Sequence, residues 1–185
     1  IKAASRVDVQ KLEVRKKAWL MAHDARRITH DVRRLVVIGA STGGPQTLEM
    51  ILPSLPSDFS LPVLVAQHMP NRFFSESLSH HLNKNCSLKV NVVCDNETIS
   101  SPAIYLAPGG SHLSVVRNAI RNTHNEVRIN LIEVGPDTLS PSIDMVMESI
   151  AKVYKGNSIG IILSGIGNDG LEGMRSIKEA GGRTI

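Results

Sequence analysis

The feature that most constrains the fold is a set of short apolar runs, each followed by a segment of helical periodicity. Leu35–Ala40 reads Leu-Val-Val-Ile-Gly-Ala, residues 61–66 read Leu-Pro-Val-Leu-Val-Ala, and residues 159–163 read Ile-Gly-Ile-Ile-Leu. None carries a polar side chain, which is the pattern of strands covered on both faces of a parallel sheet. After the first run, Gly43-Gly44-Pro45 opens a helix through Leu48, Met50, Ile51 and Leu52, with Pro45 suited to its first turn. Residues 70–83 read as a second helix. A third covers 142–153, where Ile143, Val146, Met147 and Ile150 recur at helical spacing, and a fourth covers 171–180, ended by Gly181-Gly182. Shorter β segments are expected at 88–93, 103–106, 112–116 and 127–131. The Pro108-Gly109-Gly110 turn between two of them predicts an antiparallel hairpin. Thr184-Ile185 begins one more strand. Buried strands alternating with helices predict an α/β fold of three layers, α/β/α, with a mostly parallel, doubly wound sheet and an antiparallel β-hairpin. In such sheets sites form at the carboxyl ends of the strands, where strand-to-helix loops converge.

A chain of 185 residues fits one domain with a sizeable core. Aromatics are only 3% of the residues, so the core rests on Val, Ile, Leu and Ala. That scarcity argues against a reader of single-stranded nucleic acid, which needs stacking platforms. The net charge of +4 is unevenly spread. Residues 1–34 hold ten Lys/Arg against four acids, so this segment carries +6 and residues 35–185 carry −2. Residues 1–34 therefore read as a basic linker or solvated helix, with a nucleic-acid-binding arm the lesser alternative. Residues 35–185 read as the folded domain. The chain starts at Ile1 rather than Met, and the leader has the character of an interdomain linker. No run is long enough to span a membrane and no signal peptide is evident, so a cytoplasmic address is expected. Cys86 and Cys94 are too few for a disulfide framework or a zinc site and are expected as reduced thiols, one or both semi-buried.

Three loops carry chemistry. Gly39-x-Ser41-x-Gly43, between the first strand and its helix, matches the nucleophile-elbow spacing, in which a sharp turn presents a serine next to amide N–H groups at a helix N-terminus. A turn that merely starts a helix would look the same. His68, in Gln67-His68-Met69-Pro70 directly after the second strand, is placed to act as a general base, although a core-edge histidine is the plainer reading. Of the other histidines, His80 and His81 fall on a polar helix face, His23 and His30 in the leader, His124 in a polar turn and His112 after a glycine-rich turn. The third loop, Ser164-Gly165-Ile166-Gly167-Asn168-Asp169-Gly170, offers Asp169 as a carboxylate to orient the imidazole. Its Gly165-x-Gly167-x-x-Gly170 spacing is also a dinucleotide fingerprint, but the acidic ribose ligand expected about 20 residues later is absent. Together the loops place a hydroxyl, an imidazole and a carboxylate at one sheet edge. Their chain order of Ser, His, Asp differs from that of α/β-hydrolases.

Five segments in collinear order resemble the CheB family of chemotaxis protein-glutamate methylesterases. They are Val37-Ile38-Gly39-Ala40-Ser41-Thr42-Gly43-Gly44, Gln67-His68-Met69-Pro70, Tyr105-Leu106-Ala107-Pro108-Gly109, Pro141-Ser142-Ile143-Asp144 and Leu163-Ser164-Gly165-Ile166-Gly167-Asn168-Asp169-Gly170. The resemblance runs from about Leu35 to Ile185. It implies a catalytic triad of Ser41, His68 and Asp169, with Thr42 and Ile166 supporting the oxyanion site. It further implies hydrolysis of glutamate methyl esters on the cytoplasmic helices of chemoreceptors, with related glutamine deamidation and no metal or organic cofactor. An upstream receiver domain belongs to the family pattern, so the chain without one is expected not to be gated by phosphorylation on its own. A non-catalytic module that binds receptor or partner helices is the alternative. Three departures stand out. Ile166 replaces the family's usual Met, a change that is nearly silent if a backbone N–H is the donor. Asp137-Thr138-Leu139-Ser140 lacks the usual basic residue before Pro141, and the family domain continues beyond Ile185.

Overall fold

The computed structural model describes residues 34–100, 102–117 and 126–185. The leader up to residue 33 and His124 lie outside these residues. The elements in order are β1 (Leu35–Ala40), α1 (Gly44–Ile51), a 3-10 turn (Leu52–Ser54), β2 (Val63–Gln67), α2 (Arg72–Asn83), β3 (Val90–Val92) and β4 (Ile104–Leu106). They continue with β5 (Ser111–Arg117), β6 (Val127–Glu133), α3 (Ile143–Tyr154), a second 3-10 turn (Lys155–Asn157), β7 (Ser158–Ile162), α4 (Leu171–Glu179) and β8 (Arg183–Thr184).

Six strands form one sheet in the order β3-β4-β2-β1-β7-β8, and every pairing in it is parallel. From β1 the chain moves to β2, passes to the edge strand β3, comes back to β4 between them, and then returns to β7 on the other side of β1. The order therefore reverses between β1 and β7, the switch point where a crevice opens. β1 is buried along its whole length, and alternate residues feed two separate cores. Val36, Ile38 and Ala40 pack with Leu48 of α1 and with Leu78 and Leu82 of α2. Leu35 and Val37 pack with Ile143, Val146, Met147 and Ile150 of α3 and with Ile177 of α4. Period-two alternation with both faces covered explains why the run is uniformly apolar.

The antiparallel hairpin is present, but not where the turn signal put it. β5 pairs with β6, from Ser111 opposite Glu133 to Arg117 opposite Val127. Pro108-Gly109-Gly110 instead carries the chain out of the main sheet, because both edges of β4 are already taken by β2 and β3 in parallel ladders. Helix starts shift by one or two residues for a local reason. Asn71 and Ser142 stand before α2 and α3 as caps, their side chains accepting the N–H groups of Phe73 and Met145.

Candidate active site

The site is built from the loops after β1, β2 and β7. Ser41 follows β1 directly. Its N–H donates to the Ser164 carbonyl at 2.9 Å, and its own carbonyl accepts the Gly44 N–H at 2.8 Å, so the chain turns within Thr42-Gly43 and enters α1. Gly43 has φ of 77°, a left-handed conformation that disfavours any side chain. Among the described residues, the backbone N–H groups of Thr42 and Gly43 have no acceptor. They are unpaired donors at the positive end of α1. Gly39 serves packing: a Cβ there would lie 2.5 Å from Ile143 Cγ2, so its absence lets α3 approach β1.

His68 follows β2, and its N–H extends the ladder to the Ala40 carbonyl at 3.0 Å. That register sets it beside Ser41. Nδ1 of His68 lies 2.9 Å from Ser41 Oγ, and Nε2 lies 2.8 Å from Asp169 Oδ2. The imidazole is 6% exposed. Asp169 Oδ2 also accepts the Ile143 N–H at 2.8 Å, while Oδ1 accepts the Asp144 N–H at 2.8 Å and the Ser142 hydroxyl at 3.3 Å. Burial alone would raise this carboxyl. The hydrogen bonds from His68 and from the backbone N–H groups of Asp144 and Ile143 outweigh it and hold the group down to about 2. An ionised carboxylate only accepts, so Nε2 carries the proton, and the lone pair on Nδ1 faces the Ser41 hydroxyl.

A second carboxylate anchors this loop from the opposite direction. Asp144 Oδ1 accepts the Gly170 N–H at 2.9 Å and the Gly173 N–H at 2.7 Å, capping α4 while Asp169 caps α3. The two helix N-termini exchange acids. This arrangement weighs against the dinucleotide reading of Gly165-x-Gly167-x-x-Gly170, because the Gly170 amide at the start of α4 already holds the Asp144 carboxylate, a negative charge where a pyrophosphate would bind.

Ser41, Thr42 and His68, with Asp137, Thr138 and Leu139, line an open cleft of about 620 Å³. Ile166, in the loop after β7, is 80% exposed. The preceding residue, Gly165, packs against Ser41: a Cβ there would lie 2.9 Å from that of the serine. Any contribution of Ile166 at this point comes from its backbone. The other described histidines stand apart from Ser41. His80 and His81 are exposed, and His112 Nδ1 accepts the Ser142 N–H at 3.1 Å, steadying the start of α3. Cys86 is half-buried, with burial pushing its thiol up, and Cys94 is exposed; both are free. Gln67, Ser142 and Asp144 are the site residues to which sequence reasoning gave no role. The signals were an amide closing an otherwise apolar strand and a capping serine two residues before an acid.

A family model described as CheB methylesterase matches residues 36–185. The chain belongs to the CheB methylesterase family. It is 44% identical over 151 residues to a protein-glutamate methylesterase/protein-glutamine glutaminase of Archaeoglobus fulgidus, covering 81% of this chain and 42% of that protein. A protein of Methanosarcina mazei with that name, numbered 1, is 41% identical over 151 residues, covering 81% of this chain and 41% of the relative. The crystal structure of the Thermotoga maritima CheB methylesterase catalytic domain superposes with a TM-score of 0.75 at 36% identity, covering 82% of this chain and 78% of that one. The chain thus spans about two fifths of the length of these curated relatives. Among the described residues, no helix is long and apolar enough to cross a membrane.

Proposed function

We propose that this chain is a serine hydrolase that removes methyl esters from glutamate residues of chemoreceptors, releasing methanol, and that it deamidates receptor glutamines by the same route. The observation that carries the reading is the continuous hydrogen-bonded path from the Ser41 hydroxyl through His68 to Asp169 in a member of this family. In this reading Ser41, His68 and Asp169 are the catalytic residues. Ser41 Oγ attacks the ester carbonyl as His68 Nδ1 takes its proton. The Asp169 carboxylate holds Nε2–H and offsets the charge of the imidazolium that forms. The tetrahedral oxyanion is met by backbone N–H groups, with Thr42 and Ile166 as the donors and the α1 N-terminus behind them. Collapse expels methoxide, which leaves as methanol with the proton from His68. Water, deprotonated by His68, then attacks the glutamyl-serine ester, and the free glutamate departs as Ser41 recovers its proton. With a glutamine substrate the leaving group is ammonia. None of these steps calls for a metal or organic cofactor.

The substrate is the cytoplasmic helical region of a chemoreceptor, which places the enzyme in the cytoplasm. Residues 35–185 form the catalytic unit and residues 1–34 a basic linker from an upstream receiver domain. No nucleic-acid partner is proposed, since the basic excess belongs to the linker. The experiment is methanol release from a methylated receptor cytoplasmic fragment, with wild type and Ser41→Ala compared. Release should fall to background in the variant. Equal release from both would remove the esterase reading.

A further inference from the structure

Gln67 closes β2 and is 2% exposed, an uncharged amide buried at the junction of two loops. Its Nε2 donates to the Ser41 carbonyl at 2.9 Å and to the His68 carbonyl at 3.0 Å. One side chain therefore ties the backbone of the serine to the backbone of the histidine, and both amide protons are used. The reverse orientation would set Oε1 against two carbonyl oxygens, so the chemistry leaves one assignment. In that orientation Oε1 has no hydrogen-bond partner among the described residues. It lies instead against Gly44, where a Cβ would be 1.7 Å from Oε1 and 2.7 Å from Cδ. The start of α1 thus keeps a place that only the missing side chain of a glycine leaves open. Burying an amide with its oxygen unpaired costs stability that an apolar residue of similar size would not. What the glutamine supplies in return is the pair of N–H bonds.

We propose that Gln67 is a positioning residue that fixes the Ser41 turn and the His68 loop relative to one another, holding the hydroxyl at hydrogen-bond distance from Nδ1. This inference rests on the hydrolase reading above. Both amide protons are taken up by backbone carbonyls rather than left free for a substrate, so their loss acts on kcat and on the rate of covalent capture, leaving KM close to wild type.

The test uses p-nitrophenyl acetate turnover and fluorophosphonate labelling of wild type, Gln67→Met, Gln67→Glu, Gly44→Ala and Ser41→Ala. Gln67→Met keeps the length and removes both donors. Its kcat and labelling rate should fall about tenfold to a hundredfold, the scale of an ångström-sized misplacement. Its labelling should still reach the wild-type endpoint, which counts folded sites. Gly44→Ala should reproduce the defect by displacing the amide. Gln67→Glu separates positioning from bulk packing. As a neutral acid its carboxyl still donates one bond; once ionised it donates none and repels both carbonyls. Its activity should therefore fall as pH rises through the titration of the new carboxyl, a limb absent from wild type and Gln67→Met. If Gln67→Met does not fold, that limb decides. Wild-type labelling rates in Gln67→Met, or a wild-type pH profile in Gln67→Glu, would overturn the proposal. Wild-type turnover in Ser41→Ala would sink the hydrolase reading instead.

Discussion

Asp169→Asn is the substitution that probes the relay most sharply, because it changes one atom and leaves the shape. The native carboxylate accepts four donors, two on each oxygen: His68 Nε2–H and Ile143 N–H on Oδ2, Asp144 N–H and the Ser142 hydroxyl on Oδ1. An asparagine has one accepting oxygen, so one pair must face an NH2 group. Keeping the oxygen on the Asp144 and Ser142 side preserves that part of the α3 cap and turns the NH2 toward His68. The imidazole then carries its proton on Nδ1, where it donates to Ser41 instead of accepting from it, and the base is lost. The tautomer penalty measured for the analogous change in the serine protease triad is about 10⁴ in kcat. At about 1.4 kcal/mol per tenfold, that is about 5 kcal/mol of transition-state stabilisation. Steady-state hydrolysis of p-nitrophenyl acetate reads it directly, with KM expected to hold. A fall of less than about tenfold would refute the tautomer argument, since it would mean that His68 works without the carboxylate.

Two further outcomes follow from the same contacts. The Asp169 carboxyl lies below its ordinary value in the folded state, at about 2 against 3.8, so the unfolded chain binds the proton more readily. Its stabilising contribution is complete above the unfolded value and is lost as pH falls toward about 2; allowing for solvent screening, it is about 1–2 kcal/mol. Urea midpoints between pH 6 and pH 3 should drop more for wild type than for Asp169→Ala, and equal drops would count against it. Asp144→Ala removes the acceptor for Gly170 and Gly173 N–H and should cost about 1 kcal/mol of stability, the usual value of a helix cap. Asp144→Asn, which keeps an accepting oxygen, should lose less, and thermal melts of the pair check the order.

The sheet was legible because burial on both faces leaves no polar residue in β1, and because the Ser41, His68 and Asp169 loops each follow a largely apolar strand. The hairpin was misplaced because a Pro-Gly-Gly turn signals only a reversal. Which strand pairs with which depends on edges already occupied by β2 and β3, a non-local fact. The same limit hid Asp144 and Gln67. The partners of Asp144 lie 26 and 29 residues away and the Ser41 partner of Gln67 lies 26 away, and no local pattern says that an acid at one helix start will cap another. The glycines of the third loop admitted two chemistries in sequence. The Asp144 carboxylate on the Gly170 amide and the Asp169 contact to His68 separate them.

The most direct test is to trap the covalent intermediate. The chain is mixed with p-nitrophenyl acetate, quenched in acid within the first turnover and digested, and the acetylated position is read by mass spectrometry in wild type and His68→Ala. An acetyl group is expected on Ser41 in wild type, nearly absent when the imidazole is removed. Acetylation elsewhere with Ser41 untouched, or a Ser41 adduct formed equally fast without His68, would contradict that expectation.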